Sequence, residues 1–72
     1  MIPLTMISPG ERVVVKRVSG NAEIKKQLHA MGFAEGNAVT VLTDTHGNRI
    51  VKVKESRIAL SEALVRHVYV GV

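Results

Sequence analysis

Three histidines and six acidic residues are the side chains of this 72-residue sequence that could ligate a metal or move a proton. Their spacing decides what they can do. His29, His46 and His67 never fall at i, i+3 or i+4 from one another, so no helix face or hairpin presents a local pair of imidazoles. A site made from them would have to be assembled through the fold or between chains, and His46 with Asp44 is the one weak local candidate. There is no cysteine, which removes the thiolate ligand, the cysteine nucleophile and the disulfide together and fits a reducing cytoplasm. Glu11, Glu23, Glu35, Asp44, Glu55 and Glu62 are scattered over strand ends, turns and helix starts, so no carboxylate pair is available for general acid–base work. Ser8, Ser19, Ser56 and Ser61 occupy turn or cap positions, and none lies in a nucleophile elbow. Gly32 and Gly36 lack the preceding strand and following lysine of a phosphate loop and read as backbone devices. The expectation is a non-enzymatic chain with no cofactor and no metal site.

Binding is the remaining class of function. The formal charge of +4 favours anionic partners without choosing among them. Arg49, Lys52, Lys54 and Arg57 cluster around one predicted strand and raise the case for nucleic acid. Against it, Phe33 and Tyr69 are the only aromatic residues, too few for a stacking platform, so a small nucleic-acid-binding barrel ranks below a protein-binding module. Lys25, Lys26 and His29 project from a predicted helix, and Phe33 and Ala34 follow in the turn that ends it, which makes a mixed basic and apolar patch suited to a protein partner. The same periodicity would also bury Met31 and Phe33 at a barrel mouth.

The elements that must position these residues are short. Asn21 to Gly36 is the one stretch with helical periodicity: Ile24, Leu28 and Met31 stack at i, i+4 and i+7. Asn21 can cap its start, Glu23 suits the positive end of the helix dipole, and Gly32 can end it in the left-handed conformation with Phe33 folding back onto Leu28. Gly36 closes the turn that follows. Before the helix, Ser8-Pro9-Gly10 predicts a turn and Glu11 to Val18 a strand with Val13 and Val15 inward. After it come a strand at Ala38 to Thr43, a five-residue turn at Asp44 to Asn48 and a clearly alternating strand at Arg49 to Lys54 with Val51 and Val53 inward. A tight turn at Glu55-Ser56, a short strand at Ile58 to Leu60, one helical turn at Ser61 to Leu64 and a last strand at His67 to Val70 complete the chain. This predicts a mainly β fold: a small five-stranded antiparallel SH3-like barrel with one α-helix inserted after the first strand, a pattern that alone does not exclude an OB-like barrel.

Leu28-x-x-Met31-Gly32-Phe33-x-x-Gly36, after a basic helix and before an alternating strand, resembles the core signature of the FeoA family, small proteins linked to bacterial ferrous iron transport. Leu4-x-x-Ile7-x-x-Gly10 and Ile58-Ala59-Leu60 fit in order, so the resemblance covers nearly the whole chain. It departs at Lys54-Glu55-Ser56-Arg57, where many family members have a glycine in the turn. The resemblance implies one SH3-like domain over residues 1–72, cytoplasmic and non-enzymatic, whose partner is the cytoplasmic GTPase portion of the FeoB membrane transporter. Partner-binding residues would then be Lys25, Lys26, His29, Phe33 and Ala34, with Leu28, Met31, Gly32 and Gly36 holding the motif. The alternative is an SH3-like regulatory domain of the kind fused to metal-dependent repressors, although the chain carries no DNA-binding helix pair and reads as complete in itself. No apolar run approaches the ~20 residues of a membrane span, and no signal peptide is visible, so direct insertion is not expected. Weak self-association is compatible with all of this.

Overall fold

β-branched residues at alternate positions, joined by short turns, can hide their apolar side only if the sheet curls over on itself. The computed structural model, which describes residues 1–71, shows that solution. Strands β1 (Ile2–Pro3), β2 (Arg12–Val18), β3 (Ala38–Thr45), β4 (Asn48–Val53), β5 (Ser56–Leu60) and β6 (Val68–Gly71) form one antiparallel sheet in the order β1-β6-β2-β3-β4-β5. Helix α1 (Ala22–Ala30) follows β2, α2 (Glu62–Val65) follows β5, and a 3-10 turn covers Leu4–Met6. Among the described residues no helix is long and apolar enough to cross a membrane.

The expected fold class holds, with six strands in place of five. The additional strand is the Ile2–Pro3 pair, which meets Val70 and Tyr69. It lies at a sheet edge, the position where a residue lacking an N–H is tolerated. Two bulges give the sheet its bend, one between Val15 and Arg17 and the other between Val41 and Thr43. The first also resets the alternation of β2: Val13 and Val15 point inward as expected, and the extra residue brings Val18 inward too. Phe33, Leu4, Leu28 and Leu60 are the largest fully buried side chains, and valines from β2, β3, β4 and β6 fill the space between them.

Both hairpin turns depart from the expectation, the first in length and the second in position. Asp44 and Thr45 belong to β3 and pair with Arg49 and Asn48, which reduces the predicted five-residue loop to His46-Gly47. His46 at φ +53° and Gly47 at φ +85° have the two positive values of a type I′ turn, whose twist matches that of the flanking strands. The next turn is Lys54-Glu55, one residue earlier than expected, and Ser56 pairs with Val53 so that β5 starts ahead of Ile58.

Candidate functional site

The motif around α1 is built from local hydrogen bonds. Asn21 Oδ1 accepts from the Ile24 amide at 2.9 Å, satisfying one of the donors that a helix start leaves open. At the other end Gly32 N–H donates to the His29 carbonyl and Phe33 N–H to the Leu28 carbonyl, both at 3.0 Å. This is the reciprocal pair of a Schellman motif, with Gly32 at φ +99°. A Cβ at Gly32 would come within 2.9 Å of Val53 Cγ1, so the close approach of the turn to β4 requires glycine as much as the backbone angle does. Asn37 then fastens the turn. Its side-chain amide donates to the Gly32 carbonyl at 2.9 Å, and the Asn37 and Gly36 backbones exchange hydrogen bonds with Val15 of β2.

On this frame Lys25, Lys26 and His29 are exposed, and Ala34 is half-buried in the turn that follows the helix. Leu28 is fully buried, while Ile24 and Met31 pack against the core from its margin. Phe33 corrects the expected patch. It is 0% exposed, because the Schellman turn folds it inward over Leu28, and it cannot touch a partner from there. Glu35 was absent from the expected set and stands 3.5 Å from His29 Nε2, where it offsets part of the basic character. Only the closure of the turn brings those two residues together.

The basic cluster of strand β4 also changes membership. Arg49 is 6% exposed, on the same face as Val51 and Val53, so it does not join Lys52, Lys54 and Arg57 on the surface. Its guanidinium donates to the Ile7 carbonyl, to the Thr5 carbonyl at 2.6 Å and to Asp44 Oδ2 at 3.2 Å. It therefore ties the N-terminal segment to the β3–β4 hairpin. That contact occupies the Asp44 carboxylate, and His46 sits exposed at the tip of the turn. Asp44 and His46 are accordingly a hairpin residue held by arginine and a turn residue, and among the described residues no group of three or more His, Cys, Asp or Glu side chains is arranged to hold a metal ion. His67 lies elsewhere, its Nδ1 3.1 Å from Ser19 Oγ. In place of Arg49, Arg12 enters the outward row of Lys52 and Arg57, through Thr40 of β3. Sequence parity puts Arg12 outward, but only the strand register puts it in that row.

A small, strongly bent antiparallel barrel with a capped helix between its first long strands is an SH3-like domain. The family model for the FeoA domain matches residues 2–72, and the chain belongs to the FeoA family. An Fe(2+) transport protein A of Methanocaldococcus jannaschii is 30% identical over 70 residues, covering 97% of this chain and 85% of that protein. The crystal structure of an iron uptake regulatory protein (FeoA) is 27% identical with a TM-score of 0.89, over 96% of this chain and 93% of that one. Two more distant structures share the fold. The Stenotrophomonas maltophilia FeoA complexed with zinc, a procaryotic SH3 domain protein, has 23% identity and a TM-score of 0.84 over 99% of this chain and 91% of that one. A manganese-dependent transcriptional repressor has 17% identity and a TM-score of 0.86 over 94% of this chain and 39% of its own.

Proposed function

We propose that this protein is a non-enzymatic, cytoplasmic accessory of ferrous iron transport that contacts the cytoplasmic GTPase portion of a FeoB-type membrane transporter. The supporting observation is the helix-and-turn surface: Lys25, Lys26 and His29 are exposed on a helix whose two ends are fixed by side-chain and backbone caps. Groups carried on a fixed backbone lose less entropy on association than the same groups on a mobile loop. Ala34, half-buried at the foot of that surface, supplies an apolar contact without a large exposed patch. Phe33 acts from beneath by setting the position of the turn.

The test is binding of the purified protein to the isolated cytoplasmic GTPase portion of the transporter, followed by calorimetry, with the double variant Lys25→Glu/Lys26→Glu beside the wild type. The double variant should unfold at the wild-type temperature, since both lysines are exposed, and should bind more weakly. Normal binding by the folded variant would remove the helix face as the interface. A second reading, as an SH3-like domain serving a metal-dependent repressor, rests on the fold shared with the manganese-dependent repressor. Binding to such a repressor, with none to the transporter portion, would decide for it.

A further inference from the structure

Directly paired residues in an antiparallel sheet point to the same side, so the register identifies a row that the linear sequence does not show. Arg12 pairs with Thr40, Thr40 with Lys52 and Lys52 with Arg57, which places three cations and one hydroxyl across β2, β3, β4 and β5. Arg12, Lys52 and Arg57 are exposed, and neither of the two ion pairs among the described residues involves them. Lys54 adds a further cation from the neighbouring turn. With Arg12, Ala38, Thr40 and Lys52 it lines an outward cleft of about 310 Å³. Lys52 directly opposite Arg57 is a like-charge pair, which costs stability in the free protein and is relieved by an anion lying across it.

The adjoining outward row is uncharged, with Ile50 and Ala59 as its apolar members. The bulge after Val41 sets Thr43 opposite Ile50, and Ile50 is opposite Ala59. Ile50 is 40% exposed, one of the few large apolar side chains left in water. It lies two residues along the strand from Lys52, or about 7 Å at the usual strand rise.

We propose that this face of β2–β5 is a docking surface for an acidic polypeptide segment, with carboxylates over the Arg12–Lys52–Arg57 row and an apolar side chain against Ile50 and Ala59. Neighbouring strands are about 4.8 Å apart, so the row spans roughly 14 Å, the distance between side chains i and i+4 of an extended peptide. Nucleic acid would meet the charges but not the second row. Phe33 is buried and Tyr69 is a half-buried residue of β6 outside both rows, so no aromatic ring is offered to a base. Aliphatic surface beside cations is complementary to a polypeptide. None of these residues belongs to the helix face invoked for the transporter, and the test does not use the transporter.

The probe is a fluorescein-labelled peptide with glutamate at alternate positions and one central leucine, titrated against the whole protein by anisotropy and by amide chemical shifts. Controls are the same peptide with glutamine for glutamate, single-stranded oligothymidylate of equal charge, and inorganic phosphate. Chemical-shift changes should concentrate on Arg12, Thr40, Ile50, Lys52 and Arg57. Lys52→Glu should raise the Tm, by giving Arg57 an opposite charge, and weaken the peptide about tenfold, the scale of a lost charge pair. Ile50→Ser should weaken it further, and Lys25→Glu/Lys26→Glu should not. Equal weakening by the helix variant would mean net charge alone and overturn the proposal. So would oligothymidylate binding through the same residues at least as tightly, which would make the face a nucleic-acid surface, or displacement of the peptide by phosphate alone, which would make it a small-anion site.

Discussion

Replacing Arg49 by methionine keeps the unbranched apolar stem of the side chain and removes the guanidinium with its five donors, which tests whether this one residue holds the N-terminal segment to the barrel. In the native protein the guanidinium serves the carbonyls of Ile7 and Thr5, and Ile7 and Leu4 anchor that segment in the core. A hydrogen bond with a charged partner is worth about 1.5–3 kcal/mol, and its loss leaves an acceptor stranded in a place water reaches poorly. Two such bonds, reduced by the desolvation that a methionine does not have to bear, give a net cost of about 2–4 kcal/mol. A chain of 72 residues is expected to have roughly 4–11 kcal/mol of stability in all, so the variant should be folded but near its limit. The ion pair with Asp44 contributes little to this sum, because Asp44 is 38% exposed and screened; Asp44→Asn should cost under about 1 kcal/mol. Urea unfolding of Arg49→Met, Arg49→Lys and Asp44→Asn measures the three costs. Lysine should fail to rescue, since an ammonium cannot reproduce the planar fork that reaches two carbonyls at once. Hydrogen exchange supplies the spatial readout: the Ile7 amide, bonded to the Leu4 carbonyl at 3.1 Å, should lose protection before the amides of β3 and β4. If Arg49→Met unfolds within about 0.5 kcal/mol of the wild type with that protection unchanged, burial of Leu4 and Ile7 alone secures the segment and the reasoning fails.

Other perturbations separate packing from backbone geometry, each read by thermal or urea unfolding. Leu28→Ala should cost about 2–5 kcal/mol, because the side chain is fully buried and α1 has no other core residue of that kind. Gly32→Ala and Gly36→Ala share positive φ, at +99° and +92°, but a Cβ meets Val53 only at Gly32. The first should therefore cost about 2–3 kcal/mol and the second about 1–2, and equal costs would show that Val53 gives way freely. Lys54, at φ +55°, is a non-glycine in the left-handed region, so Lys54→Gly should raise stability by about 0.5 kcal/mol after the entropy of glycine is deducted. No gain would mean that the lysine stem is packed to some purpose in the cleft it lines.

How far the fold could be read in advance is clearest in β4. Strict alternation over Arg49-Ile50-Val51-Lys52-Val53 puts 49, 51 and 53 on one side and 50 and 52 on the other, and that is the burial observed. The parity thus already assigned Arg49 inward and Ile50 outward. Grouping Arg49 with the surface cations followed the chemistry of the side chain against the period of the strand. What the period could not supply was the compensation that makes a buried guanidinium tolerable, since the carbonyls of Thr5 and Ile7 lie 44 and 42 residues away in sequence. The α1 motif was legible for the opposite reason. Its cap, its glycine exit and the return of Phe33 onto Leu28 are local contacts within a few residues, so residue type nearly determines them. Phe33 still shows the limit of that reading: its place in the turn was clear, yet whether it faced solvent or core depended on how much of the barrel mouth remained to be filled.

The same distinction governs the two interaction surfaces. A helix face is a property of one segment, so Lys25, Lys26 and His29 could be proposed together from spacing alone, and the structure adds Glu35 beside His29. A sheet face is a property of the register, and here two bulges reset the register within β2 and β3. Without the bulge after Val41, Thr43 would fall on the side of Val39 and Val41; with it, Thr43 stands opposite Ile50, and an uncharged row lies beside the cations. The bulge therefore bends the barrel and also decides what its outer wall presents. Deleting Leu42, which stands between the shifted pairs Val41↔Val51 and Thr43↔Ile50, separates the two roles. With the extra residue gone, Thr43 follows Val41 directly, so the pairs of Thr43 with Ile50, Asp44 with Arg49 and Thr45 with Asn48 should continue in unbroken register and the outer wall should keep its residues, while the local bend is lost. A Tm lowered by several degrees, with the Asp44–Arg49 cross-strand contact retained, is the expected result. A deletion variant with the wild-type Tm would show that the barrel closes without the bend this bulge supplies.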